Sequence, residues 1–192
     1  MSRDRIAVFL DYQNVYHSAR DAFCRSDDPP AAGHVDPLAV AERLVAMRST
    51  PSRLVGVRVY RGLPERLLQP AAALAAVRQI ERWERSPLVS VVARPLRYPR
   101  DWPAEKAREK GIDVALAIDF VTMAAAGEYD AGILFSTATD LEPALEAVVR
   151  LGVRAEVAAW STGRHARRLS IAGARLWCHW LDREAYDASA SL

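Results

Sequence analysis

Residues 5–14 read RIAVFLDYQN, an apolar run from Ile6 to Leu10 that stops at Asp11 and leads on to Asn14. A run of Ile, Val, Phe and Leu without polar alternation predicts a strand covered on both faces, as in a parallel sheet flanked by helices. The strand runs into Asp-Tyr-Gln-Asn rather than a glycine-rich turn, which argues against a dinucleotide-binding site.

Working outward, similar runs recur at Leu54–Arg61, Leu88–Arg94, Ala131–Ser136, Val153–Trp160 and Arg175–Leu181. Helical signals fall between them. Asp36-Pro37 is an N-cap followed by proline at the first helical position, opening a helix to about Met47. Ala71–Arg85 is rich in helix formers, with Pro70 in its first turn. Gly111–Ala126 places Ile112, Ala115, Leu116, Phe120 and Met123 at helical spacing, and Pro143–Leu151 is stopped by Gly152. Strands alternating with helices predict right-handed crossovers. The fold class is therefore α/β: one Rossmann-like three-layer sandwich over residues 1–192, with a mainly parallel central sheet. Two stretches carry no clear element. His17–Val35, with Asp27-Asp28-Pro29-Pro30, reads as a mobile loop at about 17–35, and Arg94–Lys110, with Pro95, Pro99 and Pro103, reads as a long basic loop.

Composition narrows the function classes. Apolar residues make up 51% and charged residues 26%, enough for a packed core, and the net charge of +2 does not by itself mark a nucleic-acid binder. Cys24 and Cys178 are too few for a disulfide framework. The longest mostly apolar stretch, Ile112–Gly127, is broken by Asp113 and Asp119 and falls short of the roughly 18 residues of a membrane span. No membrane partner is expected, and a reduced cytoplasm is the expected compartment.

Three acidic features fall at one edge of the predicted sheet. Asp11 follows the first strand, Asp140 lies in Ser136-Thr137-Ala138-Thr139-Asp140 after the fourth, and Asp113 sits in the first turn of the helix that feeds the fourth. Ligands of open α/β sheets bind beyond the carboxyl ends of the strands, where strand order reverses. If strands one and four are neighbours, the three carboxylates converge. Two carboxylates about 4 Å apart repel by roughly 4 kcal/mol at an effective dielectric near 20. A hard divalent ion, Mg²⁺ or Mn²⁺, is their natural partner. Taken singly, Asp11 could be a turn former or cap, Asp113 a complement to its helix dipole and Asp140 a helix cap.

Three segments resemble a known family. FLDYQN (Phe9–Asn14), EKGIDVALAID (Glu109–Asp119) and LFSTATDLEPAL (Leu134–Leu145) are similar to the three signatures of NYN domains, a branch of the PIN-like ribonucleases. The resemblance implies a PIN-like fold and a metal-dependent acidic site that hydrolyses RNA phosphodiesters. It implies Asp11, Asp113 and Asp140 as catalytic and metal-binding residues. Asn14, Lys110 and Ser136 would be supporting residues. Asp119 matches a further acidic position, although its place on the helix also suits a structural role. The third motif departs from the family pattern: Thr137 and Ala138 stand where the family has glycine and its first aspartate, and Leu141 where it has phenylalanine. One carboxylate is thus missing. That leaves open a catalytically degenerate domain acting as an RNA-binding or scaffold module.

A path for single-stranded or structured RNA is suggested by charge. Arg53–Lys110 carries 13 basic and 6 acidic residues. Within its last part Arg94, Arg97 and Arg100 interleave with Tyr98 and Trp102, pairing phosphate contacts with stacking surfaces. A second cluster, Arg164, Arg167 and Arg168, comes after the fifth strand. Equally, these could be solvated arginines, with Tyr98 and Trp102 packing the prolines. Trp177 and Trp180, on either side of Cys178, suit edge packing and leave a homodimer open.

Overall fold

The computed structural model describes residues 3–163 and 167–190. Its elements run β1 (Asp4–Asp11), α1 (Tyr12–Phe23), α2 (Pro37–Ala46), β2 (Ser52–Leu63), α3 (Pro70–Trp83), β3 (Val89–Pro95), α4 (Ile112–Ala125), β4 (Ala131–Phe135), a 3₁₀ turn (Thr139–Leu141), α5 (Glu142–Arg150), β5 (Arg154–Trp160), β6 (Trp177–Leu181) and α6 (Arg183–Ser189). The six strands form one sheet in the order β3-β2-β1-β4-β5-β6, every pair parallel. Strands one and four are neighbours, and strand order reverses between them. This is the place where an open sheet makes a crevice beyond its strand ends.

Each strand feeds both faces. Ile6, Val8 and Leu10 join Ile133, Phe135 and the inner residues of α1, α2 and α6 in one core, while Ala7 and Phe9 join Leu134 and the inner residues of α4 and α5 in the other. The Phe9 ring meets Phe120 of α4 edge to face at 5.0 Å. These two cores make the molecule a three-layer sandwich with a parallel central sheet. Near its start β2 slips register against β1, between Ile6 and Ala7. Among the described residues no helix is long and apolar enough to cross a membrane.

The caps form as their residues dictate. Asp36 Oδ1 accepts from the amides of Leu38 (2.9 Å) and Ala39 (3.0 Å), with Pro37 opening α2. Gly111, at φ +76°, turns the chain in the left-handed region to start α4, a turn any side chain would strain.

The segment 17–35 differs from its expected loop. Its first third completes α1, whose buried face is only Tyr12, Val15 and Ala19, too narrow a stripe to stand out in the sequence. The rest is strapped down. The Arg20 guanidinium donates to the carbonyls of Asp28 (3.1 Å), Pro29 (2.7 Å) and Ala32 (2.9 Å), and Tyr16 donates to Pro30 O (2.9 Å). Within the basic segment 94–110, Arg97 and Arg108 exchange backbone hydrogen bonds of 2.8 and 2.9 Å, pinching it closed. β6 starts at Trp177, two residues later than its apolar run suggests.

Candidate acidic site at the sheet edge

Asp11 ends β1 and caps α1. It continues the alternation of Ala7 and Phe9, so its side chain belongs to the α4 face of the sheet. It is 3% exposed. Its Oδ2 accepts from Ser136 Oγ at 2.8 Å, and its Oδ1 from the Asn14 amide at 3.3 Å. Ser136, just past β4, in turn accepts from the Ala138 amide at 3.1 Å. Asn14 Oδ1 accepts from the amide (3.0 Å) and hydroxyl (3.2 Å) of Thr137. Asn14 and Ser136 therefore lock the strand-four loop against the first strand and hold Asp11 in one orientation.

Asp11 and Asp113 line a cavity of about 630 Å³, with Asn14, Thr137 and Ala138 beside them and Arg167 and Asp21 on its wall. Glu109 lines it too, and sequence reasoning missed it as a site residue. The Glu109 carboxylate lies over Gly62 at the end of β2 and accepts from the Gly62 amide. A Cβ at Gly62 would sit 2.8 Å from that carboxylate and collide with Leu96, so only glycine leaves room. With its amide nitrogen turned to the carboxylate, Gln13 donates to Glu109 Oε1 at 2.8 Å. The available signal was adjacency: Glu109 directly precedes the Lys110-Gly111 pair of the second motif.

These carboxylates raise one another. Burial pushes Asp11 up to about 6; the Ser136 hydrogen bond opposes this and the Asp113 charge adds to it. Burial pushes Glu109 up to about 7, opposed by the Gly62 amide and the Arg61 charge and assisted by Asp11 and Asp113. Asp113 is raised by burial and by the charge of Asp140. Among the described residues none of the four forms an ion pair with an arginine, lysine or histidine. Hard oxygen donors carrying excess negative charge fit a divalent cation in kind. They are not a ready-made shell: among the described residues no three His, Cys, Asp or Glu side chains stand close enough together to ligate one ion.

The other expected residues fall elsewhere. Asp140 is exposed on the 3₁₀ turn and does not line the cavity; it reaches the site only through its effect on Asp113. Asp119 is committed to the fold, pairing with Arg58 at 3.1 Å and accepting from Tyr60 at 2.7 Å. Lys110, Arg94, Arg97 and Arg100 are exposed. Tyr98 and Trp102 pack edge to face at 5.1 Å, and Tyr98 accepts from the Glu65 amide at 2.9 Å, so both rings are already engaged. Arg168 donates to Leu176 O at 3.4 Å. Arg164 lies outside the described residues.

Comparisons with known proteins bear on the fold. A crystal structure of a protein of unknown function from Vibrio parahaemolyticus is similar to the chain, with a TM-score of 0.53, 22% identity and 81% of each chain covered. No curated protein matches. The family model of the NYN domain matches residues 5–173, which takes in β1, the Asp11 cap, the α4 turn and the strand-four loop. The chain belongs to the NYN domain family, built on a PIN-like, nuclease-type fold.

Proposed function

We propose that the chain is a ribonuclease, hydrolysing RNA phosphodiester bonds with a divalent cation, Mg²⁺ or Mn²⁺. The observation that carries this reading is the set of carboxylates lining one cavity, buried Asp11 with half-buried Glu109 and Asp113, none of them in an ion pair among the described residues, where strand order reverses. Family membership supports it. Asp11 and Asp113 would hold the cation, Glu109 would supply the carboxylate missing at Ala138, and Asp140 would be an outer acidic group. When bound, such a cation polarises a phosphoryl oxygen and makes water at the site more acidic.

The chain's own residues would do the rest. Ser136 and Asn14 hold Asp11 in place, so its carboxylate need not reorganise. The Arg167 guanidinium on the cavity wall would take a neighbouring phosphate of the strand. Glu109, near neutrality in its proton affinity, is placed to exchange a proton with water or with a leaving oxygen.

A second reading is favoured by Ala138 and by the spread of the carboxylates: a binding-only module that holds RNA without turnover. Cleavage of a labelled single-stranded RNA, with Mn²⁺ and with chelator, separates the two. The nuclease reading expects metal-dependent cleavage that falls about a thousandfold in Asp11→Asn, the several kcal/mol such a cation contributes. Equal cleavage by wild type and variant refutes this site.

A further inference from the structure

A second cavity, of about 250 Å³, adjoins the acidic one and shares Gln13, His17 and Glu109 with it. Tyr16, His34 and Arg61 also line it. Arg61 is an unusual cation. Its guanidinium lies beside the packed Tyr12–Trp83 pair, 5.4 Å and 5.5 Å from the two ring centroids, and its Nη1 donates to the neutral Gln79 Oε1 at 2.6 Å. Among the described residues no carboxylate comes within ion-pair distance of it, and burial lowers its proton affinity. A guanidinium held against two rings, with no ion-pair partner and only the more distant charge of Glu109 to offset it, is prepared for an anion such as phosphate.

Another part of its lining is aromatic. Tyr16 and His34 meet at 4.5 Å with their rings tilted by 30°, and the Tyr16 hydroxyl is anchored on Pro30 O. Burial, with the charges of Arg61, Arg20 and Arg82, holds His34 down to about 4, so its imidazole is neutral and offers a stacking face.

We infer that this cavity is a nucleotide subsite of the RNA path, taking one nucleotide of single-stranded RNA next to the scissile bond, its phosphate on Arg61 and its base on the Tyr16–His34 surface. The inference rests on reading the adjoining carboxylates as an RNA site.

The test is binding without turnover. Asp11→Asn protein, in chelator, is titrated into fluorescein-labelled 12-nucleotide RNAs in which one abasic site is walked along the strand, with anisotropy as the readout. The expected result is one register at which base loss weakens binding about tenfold, the scale of a base–aromatic stack. Adding Tyr16→Leu should erase that register. Adding Arg61→Met should weaken all the RNAs about tenfold and lower the salt slope by about one. A scan flat at every register overturns the inference, even if the wild type cleaves RNA. Should the wild type cleave nothing while the register is found, the nuclease reading fails and the subsite stands. The abasic scan needs no substitution at Arg61, so a poorly folded Arg61→Met leaves the decision intact.

Discussion

Asp11 and Glu156 are carboxylates on the same sheet, both nearly sealed from water, and they titrate in opposite directions. Glu156, on β5, is buried beneath Arg48 and His179: it pairs with Arg48 and with His179 Nε2 at 2.7 Å, and Arg48 also reaches Asp4 at 3.1 Å. Burial alone would raise its pKa, yet the hydrogen bonds from His179 and Arg48 hold it below the usual carboxylate range. Asp11, at the far ends of the strands, has a hydroxyl and an amide for partners and two further acids nearby, and it rises to about 6. Burial is common to both; compensation is not. The fold pairs its structural acid and leaves the candidate functional one to be paired by something else.

The comparison breaks most sharply at Arg48. Arg48→Met removes one partner of a buried pair and should cost about 3–5 kcal/mol, read as a lower denaturant midpoint at unchanged slope. Asp11→Asn should leave the metal-free fold as stable as wild type or more so, because it removes a buried, uncompensated charge. Comparable losses in both variants would erase the distinction.

Next in size is the pH response. Asp11 and Glu109 have folded pKa values of about 6 and about 7, above their unfolded 3.8 and 4.5, so between about pH 4 and pH 7 the folded state binds more protons than the unfolded one. Stability of the metal-free protein therefore falls as pH rises through that window, with Asp11 alone accounting for roughly 3 kcal/mol. Glu156 works the other way: its pKa is depressed, so its contribution is present above the unfolded value and lost as pH falls through the folded one. Thermal melts from about pH 4.5 to about pH 8 should show the decline, and Asp11→Asn should flatten it. Saturating Mn²⁺ should restore stability at the alkaline end, where the carboxylates are charged, and do little at the acid end. A decline unaltered by Asp11→Asn would place its origin elsewhere.

How far the molecule could be read from its residues divides along similar lines. The strands and the mainly parallel sheet were legible, because continuous apolar runs and capping residues act locally; the neighbourhood of Asp11 with the strand-four loop was not, since it depends on strands one and four pairing across the sheet. Asp113 was legible because the left-handed Gly111 sets its place in the first turn of α4. Glu109 was not. Its position comes from a contact 47 residues away, a carboxylate laid on the bare Cα of Gly62, and no local pattern encodes that approach. Asp140 was placed by spacing after β4, and the 3₁₀ turn there leaves it exposed, where its charge still acts on Asp113. Asp119 sits at helical spacing with buried residues, and the partner that settles its role, Tyr60, lies on β2.

Gly62 offers a smaller perturbation. Gly62→Ala would set a Cβ 2.8 Å from the Glu109 carboxylate and closer still to Leu96, so both side chains must move. The expected cost is about 1–3 kcal/mol of stability, together with weaker Mn²⁺ uptake measured by calorimetry. Gly56, where a Cβ would meet no neighbour, is the control: Gly56→Ala should leave ion uptake unchanged.

The finest distinction lies between Glu109 and Ala138. If Glu109 already supplies the carboxylate that the third motif lacks, adding one at Ala138 should gain little. Ala138→Asp would tighten Mn²⁺ binding only a few-fold in the wild-type background. In Glu109→Gln the same substitution should recover most of the lost affinity, because the two side chains line one cavity and would serve the same ion. A double-mutant cycle on the Mn²⁺ dissociation constant reads this directly as a coupling between the two positions. Simple additivity would mean that Glu109 shapes the cavity without serving the cation, and the departure at Ala138 would then be a loss that the rest of the chain does not make good.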